Sequence, residues 1–133
     1  MSSNISYNLP QPFTIYLLAN LIAGSTNFRY RHVFGSINGT DNIGVYYDAL
    51  ESKWKMQTGG AIDSAPIELD YALTEKWVII KAEFNGASSV LDVDGESVTG
   101  DAGSIGLNDV ITFGESLGGN IASRLIYDGI PTL

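Results

Sequence analysis

The sequence predicts an all-β fold, a two-sheet antiparallel jelly-roll sandwich formed by residues 1–133 as one domain. Three observations carry this. Apolar residues alternate with period two in segment after segment, whereas the 3.6-residue period of an amphipathic helix is weak throughout. Turn signals, supplied by 15 glycines, recur at the spacing of about 8–12 residues that marks sandwiches and barrels. A chain of 133 residues, 44% hydrophobic and 17% charged, can bury one core and leaves little room for a second.

The elements follow in order. Pro12 opens a long strand in which Phe13, Ile15, Leu17, Ala19 and Leu21 share one face. Thr14, Tyr16 and Asn20 lie opposite, together with the apolar Leu18 and Ile22. A second strand runs from Arg29 to Ile37, and Asn38-Gly39 begins a hairpin loop because Asn-Gly accepts the positive φ such turns need. Ile43, Val45 and Tyr47 face one way on the return strand, and Tyr46 faces the other. Trp54 and Met56 alternate with Lys53, Lys55 and Gln57 before Gly59-Gly60 ends that strand. Ala61 to Ala65 reads as a loop and Pro66 to Asp70 as a short or edge strand. Trp77 to Phe84 alternates most clearly, with Val78, Ile80, Ala82 and Phe84 inward and Ile79, Lys81 and Glu83 outward. Asn85-Gly86 and Asp94-Gly95 are turns on either side of a strand from Ser89. Val110 to Gly114 and Ile121 to Tyr127 close the series. The core is therefore expected to contain Phe13, Ile15, Leu17, Val78, Ile80, Ala82, Phe84 and Phe113.

The stretch Trp77-Val-Ile-Ile-Lys-Ala-Glu-Phe-Asn-Gly86, followed by Val90-Leu-Asp-Val-Asp-Gly95, resembles the central hairpin of laminin-G-like domains of the concanavalin A-like lectin/glucanase superfamily. Phe13-Thr-Ile, Gly44-Val-Tyr-Tyr-Asp and Ile111-Thr-Phe-Gly114 resemble other strands of that fold in the same order. The resemblance implies a jelly roll and says little about a ligand, because these motifs encode hairpins.

Composition narrows the function. The net charge of −8, with pI about 4.3, repels phosphate backbones and makes nucleic acid a poor partner. No apolar stretch is long enough to cross a bilayer as a helix. With no cysteine, neither disulfide nor thiol chemistry is available. The N-terminal residues lack the basic and apolar regions of an export signal, so the sequons at Asn4 and Asn38 are not expected to carry glycan.

Catalysis is not expected. Glycanases of the superfamily that the chain resembles place acidic residues at alternate positions of one strand. The nearest match, Asp92-Val-Asp94-Gly-Glu96, is broken by its own turn, which takes Asp94 and Glu96 off a common strand face. The lone His32 has no nucleophile motif around any serine to serve.

Binding is the expected role. Tyr16, Tyr46 and Trp54 are candidate stacking platforms for a sugar, and with Arg31 they form the candidate ligand-binding set. Calcium, which takes six to eight oxygens, has candidate ligands in Asp41, Asn42 and Asp109. No cofactor is required. The resemblance to a mostly extracellular fold, without an export signal or disulfide, suggests a bacteriophage virion accessory protein: a decoration, fibre or tail component bound to other subunits and touching host glycan. The alternative is an extracellular, stand-alone carbohydrate-binding module. For an assembly subunit, Leu18 and Ile22 would belong to an apolar docking patch; otherwise they lie under the Ala61–Ala65 loop.

Overall fold

A computed structural model describes residues 3–6, 8–22, 28–36, 42–64, 66–107, 110–114 and 119–132. The strands are β1 (Ser3–Ser6), β2 (Phe13–Leu21), β3 (Tyr30–Ser36), β4 (Ile43–Asp48), β5 (Lys53–Thr58) and β6 (Ile67–Leu69). They continue with β7 (Trp77–Phe84), β8 (Ser89–Val93), β9 (Glu96–Gly100), β10 (Val110–Phe113) and β11 (Gly119–Asp128). One sheet has the order β1-β10-β3-β4-β5-β6 and the other β11-β2-β7-β8-β9. All pairings are antiparallel. The only helical element among the described residues is a single 3₁₀ turn at Gly86–Ser88.

The alternation sets the register. β2 pairs with β7 so that Phe13 meets Phe84, Ile15 meets Ala82 and Leu17 meets Ile80, all facing inward. Phe13 and Phe84 stack with centroids 4.7 Å apart. Phe34 of the six-stranded sheet lies 6.1 Å from Phe84 and 5.5 Å from Phe113, joining the two layers. All eight residues expected in the core are buried. The hairpin between β8 and β9 turns on Asp94 and Gly95, at φ 52° and 90°. A two-residue turn with both φ positive matches the right-handed twist of its strands.

Two strands lie where no alternation announces them. β1 and β9 form opposite sheet edges, and β9 buries none of its residues fully. Without a buried face, β9 has no apolar phase to display.

Candidate functional site

The outward side chains described on β3, β4, β5 and β6 form a polar layer. Tyr30 and His32 come from β3, Tyr46 and Asp48 from β4, Lys55 and Gln57 from β5, and Glu68 from β6. Gly59 and Gly60 take φ of 86° and 75°, and the chain after them folds back over this layer. Gln57 fixes the return: its Nε2 donates to the carbonyls of Gly59 (3.2 Å) and Ala61 (2.9 Å). Its Oε1 accepts from Asp63 N–H (2.8 Å) and the Tyr46 hydroxyl (2.6 Å).

Asp63 is thereby placed above Lys55. The Lys55 ammonium, 1% exposed, donates to Asp48 Oδ2 (2.9 Å), Glu51 Oε2 (2.6 Å) and Asp63 Oδ1 (2.7 Å). Glu68 Oε2 is a fourth ion partner at 3.1 Å. Arg29 grips Asp48 from the other side with two parallel bonds, Nε to Oδ1 and Nη2 to Oδ2, both 2.9 Å. Burial alone would lower the Lys55 pKa, but the hydrogen bonds that its ammonium donates to the carboxylates of Asp63, Glu51 and Asp48, with Glu68 beside them, raise it well above the ordinary lysine value. Burial would likewise raise Asp48, yet Arg29 and Lys55 hold its carboxyl well below the usual range.

Asp48, Glu51 and Asp63 bring carboxylate oxygens close enough together to hold a metal ion. Lys55 Nζ already bonds to all three, so the cluster has its own cation. Buried Lys55 and Asp48 are the foundation, and Arg29, Glu51 and Glu68 are the half-exposed rim. Tyr30 joins through its hydroxyl to Asp63 (3.3 Å), and the Arg29 guanidinium lies 4.7 Å from the centre of its ring.

His32 lies at one side of the layer, its ring 5.1 Å from that of Tyr46. Burial pulls its pKa down to about 4, so it is neutral in the folded protein near pH 7. The unfolded chain binds the proton first as pH falls from about 6.5, so the native state loses stability over the window from about 6.5 to 4. The loss expected is about 3 kcal/mol. Urea unfolding at pH 7 and pH 4.5 measures it, and His32→Gln should flatten the dependence in that window. An equal slope in the variant would contradict the assignment.

The residues expected to bind ligand are scattered. Tyr46 points outward, as its phase predicts, but the layer above leaves it 1% exposed. Trp54 is also 1% exposed, because its phase turns it into the core, where it packs edge-on against Tyr47 at 5.4 Å. Neither ring has a free face for stacking, which corrects that expectation. Arg31 is buried as well; its register opposite Tyr47 places it on the inward side, and its Nη2 donates to the Ile22 carbonyl at 2.9 Å. Its role here is to tie β3 to the end of β2. Tyr16 is half-buried on the outer face of the other sheet, in a groove of about 250 Å³.

Of the three calcium candidates, Asp41 and Asp109 lie outside the described residues. Asn42 is buried and donates through Nδ2 to the Gly60 carbonyl at 3.0 Å. Among the described residues its Oδ1 has no hydrogen-bond partner.

The acidic run at the β8–β9 hairpin is turn chemistry. Asp92 Oδ1 accepts from Gly95 N–H at 3.0 Å, and Asp94 accepts from Ile79 N–H (2.8 Å) and the Tyr71 hydroxyl (3.2 Å). Nor do residues 61–64 cover Leu18 and Ile22. They lie on the opposite sheet, and Ile22 remains exposed.

No protein-family model matches the sequence, and no curated protein matches it. Solved structures are similar in fold. Chicken galectin 2 superposes with TM-score 0.60 at 13% identity, over 91% of this chain and 95% of its own. A human galectin-16 variant gives 0.63 at 15%, over 97% and 95%. The carbohydrate binding module CBM66 from Bacillus subtilis gives 0.58 at 13%, over 96% and 79%. Together with the two antiparallel sheets, these likenesses establish that the chain folds as a concanavalin A-like jelly-roll β-sandwich.

Proposed function

We propose that this chain is a non-catalytic, lectin-like module that binds glycan on the outer face of the six-stranded sheet. The observation that carries the reading is the Lys55-centred network, which fixes the half-exposed Arg29, Glu51 and Glu68 around one buried ammonium. Sugar hydroxyls both donate and accept; guanidinium only donates and carboxylate only accepts, so such a rim reads hydroxyl orientation. Bonds to charged groups are about twice as strong as neutral ones. Holding these groups in place beforehand lowers the entropic cost of binding. The exposed ring of Phe28, next to Arg29 in sequence, offers apolar surface nearby. The fold likeness to galectins and to a carbohydrate binding module supports the same class. With a net charge of −8, neutral glycans are favoured over sialylated or sulfated ones.

The test is a glycan array followed by calorimetric titration of the best ligand. Glu51→Gln and Glu68→Gln are each expected to weaken binding at least tenfold, about 1.4 kcal/mol, while the fold stays intact by circular dichroism. Ser97→Ala, exposed on the opposite sheet, should leave affinity unchanged. Absence of binding to any neutral glycan, or unchanged affinity in both amide variants, would overturn the proposal.

The virion reading draws no support from the fold likenesses. Its more general part, a protein partner, is favoured by one observation: the apolar outer face of the five-stranded sheet.

A further inference from the structure

The outward face of the five-stranded sheet is apolar where a solvated face would be polar. Register places Ser123, Leu18 and Ile79 in one row across β11, β2 and β7. Leu125, Tyr16 and Lys81 form the next row, and Tyr127, Thr14 and Glu83 the third. Ile79 is 62% exposed, Leu125 57%, Trp77 48% and Tyr127 46%.

This face has both relief and recess. Register shifts between Ile121 and Ser123 where β11 pairs with β2. The small Ser123 side chain then leaves a groove of about 250 Å³ with Leu18, Tyr16 and Leu125 around it, and Ile79 forms its far wall. Ile79 stands out at the other end of the same row. The acidic network occupies the opposite sheet, so the charges nearest the middle of this face are the paired Lys81 and Glu83 (3.8 Å). The face can therefore be covered with little burial of unpaired charge.

We propose that this face is a self-association surface, on which a second copy of the chain packs about a two-fold axis running along β2. Such an axis lays β11 of one copy over β7 of the other at the same height. Ile79 then enters the recess beside the partner's Ser123, and the reciprocal contact forms by symmetry. In the following rows Leu125 meets the stem of the partner's Lys81, and the Tyr127 hydroxyl meets the partner's Glu83. One row supplies both the projecting and the receding part, which is what an isologous interface needs.

Four large side chains each offering on the order of 100 Å² supply about half of the roughly 800 Å² per partner of a standard interface, and half-buried Tyr16 and Leu18, Ser123 and the stem of Lys81 add to them. Stacked sheets prefer strand directions within about 30° of each other, which an axis along β2 satisfies. The two six-stranded faces would then point away from each other, at opposite ends of the dimer.

Sedimentation velocity across a concentration series tests the proposal without any glycan. The native chain is expected to be a dimer. Ile79→Lys alone and Ser123→Asp alone are each expected to weaken association at least tenfold and to keep the native circular dichroism, since both positions are solvent-facing. A mixture of the two variants should recover a heterodimer. At one of its two reciprocal contacts the introduced ammonium meets the introduced carboxylate, and at the other Ile79 meets Ser123 unaltered. A native monomer at the highest attainable concentration overturns the proposal, as does a native dimer that survives Ile79→Lys. Failure of the mixture to reassociate overturns the axis along β2.

Discussion

Replacing Lys55 by methionine is expected to destabilise the protein by about 3–5 kcal/mol, the usual consequence of removing one partner from a buried ion pair. Methionine keeps most of the side-chain length, so packing is nearly preserved and the charge is what changes. Asp48 bears most of the effect. It is fully buried, and without Lys55 its remaining ion partner is Arg29. Glu51 and Glu68 are partly exposed and find water, so their share is small. The pH dependence separates charge from packing. The Asp48 pKa is depressed in the folded state, so its contribution is present above the ordinary carboxylate pKa and is lost as pH falls through the folded value. Removing Lys55 raises that folded pKa, so the gap between native and variant should narrow on acidification from pH 7 to below pH 4. Urea unfolding of both proteins across this range is the measurement. A constant gap would mean that the loss comes from packing alone.

Replacing Phe84 by alanine is expected to cost about 3–5 kcal/mol, the range for large-to-small changes at fully buried aromatic positions. Phe84 is 0% exposed and touches both layers, stacking on Phe13 within its own sheet and meeting Phe34 across the sandwich. The site cannot collapse easily, because Phe13 and Phe34 are held by different sheets. Chemical denaturation with the slope held comparable to that of the native chain measures the change. A shift under about 1 kcal/mol would show that the two sheets close over the gap.

The phase of each long strand was legible in the sequence. Val78, Ile80, Ala82 and Phe84 turn inward, and Ile79, Lys81 and Glu83 turn outward, as period two requires. The Asp94-Gly95 turn was equally legible, because backbone demand at positive φ is local. The edge strands β1 and β9 were not; β9 is a polar edge and has no buried face to announce. The candidate site was barely legible. Glu51 and Asp63 lie in connecting segments outside the strands, and nothing local marks either as a partner of Lys55.

By itself, the sequence determined the all-β class, the inward set of residues and the turns that join the strands. Period-two alternation reports which side of a sheet a residue takes, and that is a property of the local backbone. Only the tertiary structure decided what lies above each outward side. Tyr46 and Tyr16 have the same outward phase, yet the first is sealed beneath the chain that returns after Gly60, while the second lines an open groove. Lys55 reads as a solvated strand lysine until residues from β4, β6 and two connecting segments converge on it. Such cover comes from neighbouring strands and the segments that connect them, and alternation within a strand holds no record of it.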